Sequence, residues 1–356
     1  MPMEIAESRD ISVDAIRACA IVLVVLTHVV APYTARFTQS SDLRWWIENA
    51  TTSFSRPCIP LFVMISGLLL LSPGKNERLG LFFKKRFAKV VIPFLAWAII
   101  YFLWRHFYLS ESVSFNQALR EIIGGPVYFH FWYIYMLLGL YLATPILRSY
   151  VRHAGRYNLN YFMIVWFLFL LINPLLRKAC QDLELGIELP VAAGYVGYFV
   201  AGYALAQIKL NSRAVGWLFF TMIGLAGLTA LGTFLLTSEA QGTVNMSLYA
   251  YLFPNVILMS GAAFLALRSV NYKKIFMKPP LCKKMVDVLS RTSLGLYLLH
   301  PMVIHLLEKG TLGGKISAVT IHPLVGIPLT LFLVLGLSTA MIVILQRIPL
   351  IKRIVP

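Results

Sequence analysis

Long apolar runs recur along this chain so closely that little else fits between them. A helix that crosses a bilayer needs about 20 mostly apolar residues. Only helices and closed barrels satisfy their backbone polar groups in that medium. Ten runs qualify, at about 15–33, 54–72, 88–104, 127–147, 161–176, 191–208, 214–236, 247–267, 293–307 and 322–345. The sixth, AAGYVGYFVAGYALAQI, is rich in Gly and Tyr, and the ninth, SLGLYLLHPMVIHLL, is short and carries His and Pro. The polar connections reach only about 20–25 residues and contain no repeat, low-complexity tract or soluble domain. The start MPMEIAESRDISVDAIR is polar and acidic, and no small-residue cleavage site follows the first run, which therefore reads as a retained helix. The expected fold is all-α and integral to a membrane, with about ten transmembrane helices in a single domain over residues 1–356.

Composition agrees. The chain is 58% hydrophobic and 13% charged, where soluble domains run near 45–50% and about 25%. That excludes an ordinary soluble enzyme, a disordered segment, a collagen and a disulfide scaffold. The net charge of +17 would suggest nucleic acid in a soluble protein. Here its distribution follows topology, because Lys and Arg favour cytoplasmic loops. Assigning the N-terminus and alternate loops to one side puts 22 of the 32 Lys and Arg there and 9 on the other, with Arg17 inside the first run. This pattern predicts both termini in the cytoplasm and needs no nucleic-acid partner. Cys19, Cys58, Cys180 and Cys282 form no CxxC pair and no metal-ligand spacing, and read as small hydrophobes rather than a disulfide or metal site.

Ionisable groups inside a membrane are functional candidates. The first run holds Asp14 and Arg17, three residues apart and so on one helix face. They read either as an ion pair anchoring the helix start or as part of a site. His28 follows Arg17 by eleven residues, about 16 Å along a helix axis. The Arg is thus expected at the cytoplasmic mouth and the His deep in the opposite half. An imidazole suits acid–base work because its ordinary pKa is near 6.5. The alternative is a hydrogen-bonded packing residue. In the second run, Ser66-Gly67 either lets helices approach closely or faces a substrate cavity. The third opens with FFKKRFAKVVIPF. Lys84, Lys85, Arg86 and Lys89 anchor a cytoplasmic helix end, yet Arg86 and Lys89 share a face that can grip phosphates. His130, Trp132, Tyr133 and Tyr135 open the fourth run and fit an aromatic belt at the outer interface or a sugar-stacking surface. Tyr297 and His300 lie three apart in the ninth, with Pro301 next. HExxH, GxxxxGK, GxGxxG and GxSxG motifs are absent.

Taken in order, these elements resemble the acyltransferase 3 family of integral-membrane acyltransferases over nearly the whole chain. The resemblance rests on Asp14, Arg17 and His28 as D-x-x-R-x10-H, FVMISGLLL with Ser66 and Gly67, and K-R-x-x-K-V-x-x-P with Lys85, Arg86, Lys89 and Pro93. HFWYIYMLLGLYLATP, GYFVAGYAL and SLGLYLLHP complete it. It is closest to the stand-alone bacterial members that O-acetylate surface glycans, of the kind acting on enterobacterial common antigen. The resemblance implies a multi-pass protein of the cell inner membrane. It implies acetyl-CoA as cytoplasmic donor, no bound cofactor, and a hydroxyl of an envelope glycan or lipid-linked sugar as acceptor, with glycan-synthesis machinery as a partner. His28 becomes the catalytic His and Arg17 its basic partner. Arg86, Lys89 and Lys85 contact the CoA phosphates, and Asp14, Ser66, Tyr297, His300, Trp132 and His130 support the site.

Two departures stand out. Lys89 occupies a position where many members have Arg, which keeps the charge but loses the bidentate fork. The C-terminal SGNH-type domain of larger members is missing, and the chain ends at Pro356, just past the tenth run. Direct attack with His28 as base is the favoured route. Cys19 and Ser66 are the conceivable acyl carriers if transfer runs through an acyl-enzyme. The alternatives are a transporter or exporter of a glycan or lipid-linked intermediate without acyl transfer, and a structural partner of a glycan synthase. The absence of an internal repeat weighs against the transporter.

Overall fold

A computed structural model describes residues 10–36, 42–72, 77–179, 194–239, 244–275, 280–349 and 351–355. Its first third contains α1 (Ile11–Thr34), α2 (Leu43–Ser55), α3 (Cys58–Leu71), α4 (Leu79–Arg86) and α5 (Ile92–Phe107). The middle contains α6 (Phe115–Gly124), α7 (Trp132–His153), α8 (Arg156–Ala179), α9 (Val196–Leu205) and α10 (Ser212–Glu239). Then come α11 (Pro254–Ser269), α12 (Tyr272–Ile275), α13 (Pro280–Arg291), α14 (Ser293–Lys309) and α15 (Pro323–Leu345). The described residues form no strand.

Each of the ten expected runs is helical within the described residues. Seven helical stretches are long and apolar enough to cross a membrane: Ile11–Thr34, Leu43–Leu71, Leu79–Phe107, Phe115–His153, Ser212–Thr237, Ser247–Ser269 and Pro323–Leu345. The fifth, sixth and ninth runs correspond to α8, α9 and α14, which fall outside that set.

α1 is the hub. It packs against α2, α3, α11, α13, α14 and α15, so 72% of its most apolar stretch is buried, against 22% for that of α10. A helix apolar nearly all round stays stable only when protein or lipid covers every face. In α1 the cover is protein. In α10 and α15 large side chains such as Phe220 and Phe332 stand exposed, and a patch of that kind needs another apolar medium against it.

Small residues set the tightest contact. A Cβ on Gly67 of α3 would strike the Phe199 carbonyl of α9, and one on Gly202 of α9 would strike the Met64 carbonyl of α3. The two backbones touch through this reciprocal pair, as small residues permit between membrane helices. Asp10 caps α1. Its carboxylate accepts from the Ser12 N–H at 3.0 Å and the Ser12 hydroxyl at 2.7 Å, and pairs with Arg268 at 2.7 Å. Burial alone would raise the Asp10 pKa, but the Ser12 hydrogen bonds and the Arg268 charge outweigh it and hold the carboxyl below its ordinary value.

Candidate active site

Pro93 shapes one wall of the site. It lies inside the helical stretch that begins at Leu79 and has no N–H to give the Lys89 carbonyl. The backbone responds with a π turn over Phe87–Val91, in which the Ile92 N–H donates to the Phe87 carbonyl. Such a turn rotates the side chains that precede the proline. Arg86 and Lys89, on either side of its start, both line a cavity of about 480 Å³.

Arg17 of α1, Ser66 of α3, Tyr133 and Tyr141 of α7, and Tyr297 of α14 also line this cavity. So do Ser290 and Arg291 of α13. Four cations thus converge from three parts of the chain. Asp14, buried at 3% exposure, holds Arg17 in place: their ion pair spans 3.9 Å. The Ser290 hydroxyl donates to the Asp14 carboxylate at 2.7 Å, and Arg17 Nη1 donates to the Ser290 oxygen at 3.4 Å. Asp14 is therefore a positioning residue that joins α1 to α13 beside the cavity. Arg86 lies over the Phe82 ring at 5.4 Å and the Tyr141 ring at 5.8 Å, and its Nε lacks a hydrogen-bond partner. Arg148 lies over the other part of that cluster, 5.2 Å from the Phe82 ring, and donates to the Leu70 carbonyl at 2.9 Å.

Lys85 does not line the cavity. It pairs with Glu77, and its hydrogen bond holds the Glu77 carboxyl below the ordinary value. Ser66 does reach the cavity, while its hydroxyl donates back to the Phe62 carbonyl at 2.9 Å. Gly67 serves the contact with α9 described above.

The histidines gather elsewhere. The His28 ring lies 5.2 Å from His300 and 5.0 Å from Phe129. His300 lies 5.7 Å from His130, which lies 5.2 Å from Tyr297. His300 is fully buried, its Nδ1 is 3.0 Å from the Leu296 carbonyl and its Nε2 is unpartnered. Neither ring nitrogen of His130 makes a well-formed hydrogen bond, and its carbonyl accepts from the Tyr297 hydroxyl. Unpaired buried polar atoms are rare, and several at one place mark a candidate site. His28 is not among the residues lining the cavity. Tyr297 and Tyr133, with rings 5.4 Å apart, belong to both regions: each lines the cavity, and Tyr297 touches the imidazoles.

The expected outer aromatic belt is corrected. His130 is 1% exposed and Tyr133 7%, so these rings face the interior rather than the membrane surface. Trp132 packs its ring between Tyr195 and Tyr251 at 5.7 and 5.8 Å. The turn Phe129–Phe131 before α7 redirects the chain here, and the interior supplies more ring contacts than lipid headgroups do.

Sequence reasoning missed three residues. Arg291 and Ser290 line the cavity, as does Tyr133, which was read as part of the belt. Arg56, counted as a loop charge, is buried over the Tyr249 and Tyr251 rings at 4.9 and 5.7 Å. No local spacing separates Arg291 from its basic neighbours. The one available signal was its place just before the ninth run. Cys19, Cys58 and Cys282 are free thiols, and Cys180 lies outside the described residues. No group of three or more His, Cys, Asp or Glu suited to a metal occurs among the described residues.

No curated protein and no solved structure matches the chain. The family model described as an acyltransferase domain matches residues 10–345, nearly all of the helical bundle. The chain is a multi-pass membrane protein of the acyltransferase 3 family.

Proposed function

We propose that this protein is an O-acetyltransferase of the cell inner membrane, moving an acetyl group from cytoplasmic acetyl-CoA to a hydroxyl of an envelope glycan or lipid-linked sugar. The observation that carries the reading is the juxtaposition on α14. Tyr297 lines a cavity ringed by Arg17, Arg86, Lys89 and Arg291, and His300, one turn on, packs against His28. A polyanionic donor suits the first environment and a proton transfer suits the second. The charge distribution supports ten spans with both termini in the cytoplasm, which puts the basic cavity on the donor side.

In this mechanism Arg86, Arg17, Lys89 and Arg291 hold the phosphates, the guanidinium groups through paired N–H donors. Lys85 stays with Glu77. The acyl end extends past Tyr297 and Tyr133 toward His28. The acceptor hydroxyl oxygen attacks the thioester carbonyl carbon while its proton passes to a ring nitrogen of His28. The carbon–sulfur bond then breaks, and the departing CoA sulfur takes that proton, which returns the imidazole to its starting form. A positioned base contributes about 10²–10⁴-fold. His300 holds the His28 ring in place by packing, with His130 behind it, and Trp132 supports the site through its packing between Tyr195 and Tyr251.

The test uses membranes containing the wild-type protein or His28→Ala, supplied with acetyl-CoA labelled in the acetyl group. Label entering the envelope glycan fraction with wild type alone supports both the activity and the base. Equal label with both removes His28 from the chemistry. No label with either, under conditions where glycan export depends on the protein, replaces the reading with an exporter.

A further inference from the structure

α13 carries a second surface besides its cavity end. Its sequence PLCKKMVDVLSR spaces Leu281, Met285 and Val288 along one face. Leu281 and Met285 are 63% and 55% exposed, and Lys283 and Lys284 beside them are also exposed. Lys284 falls on that same face, between Leu281 and Val288, so the face is apolar with one cation set into it. The helix does not lie flat on its neighbour. Between α13 and α15 runs a groove of about 520 Å³, lined by Met285, Val288, Phe332, Gly336, Thr339 and, as its sole charged group, Lys284.

The groove lies toward the same end of the bundle as the basic cavity. Gly295, at the start of α14, packs against Ile342, near the end of α15. Arg347, Lys352 and Arg353 follow that end, and the last turn of α13 supplies Ser290 and Arg291 to the cavity. Asp287 is the carboxylate on α13, against Lys283, Lys284 and Arg291 on the same helix. A second apolar groove, between α8, α9, α10 and α11, is lined by Met163, Trp166 and Leu225 and has no charged side chain. It can take any hydrocarbon and selects no headgroup. The groove at α13 combines an apolar trough with the Lys284 ammonium, with the exposed Lys283 adjoining it, the pairing that basic pockets between membrane helices use for anionic lipids.

We propose that the groove between α13 and α15 is a binding site for an anionic phospholipid, with an acyl chain along Phe332 and Gly336 and the phosphate on Lys284. The site is independent of the acetyl-transfer reading. Its occupant braces the helix that presents Ser290 to Asp14 and Arg17.

Native mass spectrometry of the full chain, exchanged into detergent with phosphatidylglycerol or phosphatidylcholine, tests this. Wild type should retain phosphatidylglycerol in preference to phosphatidylcholine. Lys284→Gln should lower phosphatidylglycerol retention about fivefold, equivalent to the ~1 kcal/mol that a lysine supplies at an anionic membrane surface. Gly336→Phe fills the groove at a position where an added side chain meets open space, and should expel both lipids while the protein stays folded. Inorganic phosphate should not displace the lipid. Equal retention of the two lipids by wild type, or undiminished phosphatidylglycerol on both variants, overturns the site. Displacement by inorganic phosphate overturns the lipid as its ligand.

Discussion

Arg17 and His28 belong to one helix, yet their surroundings differ in kind. Around Arg17 the wall is cationic and open, with Arg86, Lys89 and Arg291 contributed by other elements and the Asp14 carboxylate holding the geometry. Around His28 the groups are rings: His300, Phe129 and, beyond them, His130 and Tyr297. A cluster of like charges is tolerable where water and a counter-ion can reach it. Imidazoles can be buried because they can stay neutral, and a neutral imidazole is the form that accepts a proton. The contrast teaches a division of labour, with one region built to hold charge and the other to move a proton. Tyr133 and Tyr297 form the seam between them.

The largest expected effect comes from removing chemistry while leaving binding. His28→Ala should lower acetyl transfer by about 10²–10⁴-fold, with donor binding by calorimetry unchanged. A parallel loss of donor binding would merge the two regions into one. Next comes the reverse experiment. Arg86→Ala should raise the KM for acetyl-CoA about 10- to 100-fold, the range for a charge-assisted hydrogen bond of ~1.5–3 kcal/mol, with kcat little changed. Arg86→Lys should recover part of it, because the charge survives without the fork. A fall in kcat at constant KM would move Arg86 into the chemistry.

Packing should touch both regions alike. Gly67→Leu forces a side chain into the Phe199 carbonyl and should cost about 1–3 kcal/mol, read as a lower Tm, with any surviving protein impaired in binding and turnover together. The smallest effect is at the cap. Asp10→Ala should cost about 1 kcal/mol at neutral pH. The folded carboxyl sits below its unfolded value near 3.9. Its contribution is therefore complete above that value and fades as pH falls through the folded one. The Tm difference between wild type and Asp10→Ala should close below about pH 4, while donor affinity at pH 7 stays the same.

Much of this was legible from local pattern. The runs are visible because hydrocarbon demands about 20 apolar residues in succession, and all ten are helical among the described residues. Arg17, Arg86 and Lys89 stood out as charges at run boundaries, and they meet in one cavity. Lys85 looked equivalent to Arg86, but the partner that separates them, Glu77, lies eight residues back, outside the i, i+3 and i, i+4 spacings that pair charges along a helix. His130 and Tyr133 looked like an interfacial belt because their sequence neighbours are aromatic. Their burial depends on α14, more than a hundred residues away.

The sequence by itself determined the medium, the helices and the charge asymmetry between alternate loops, because each follows from the solvation of consecutive residues. It also set the separation of Arg17 and His28, since a helix converts eleven residues into a fixed rise. Only the tertiary structure decided which cations share a cavity, which imidazoles touch and which face of α13 stays open. Those outcomes depend on contacts between helices distant in the chain. They are settled by side-chain shape and small residues such as Gly67 and Gly202, for which hydrocarbon outside the bundle supplies no directional preference.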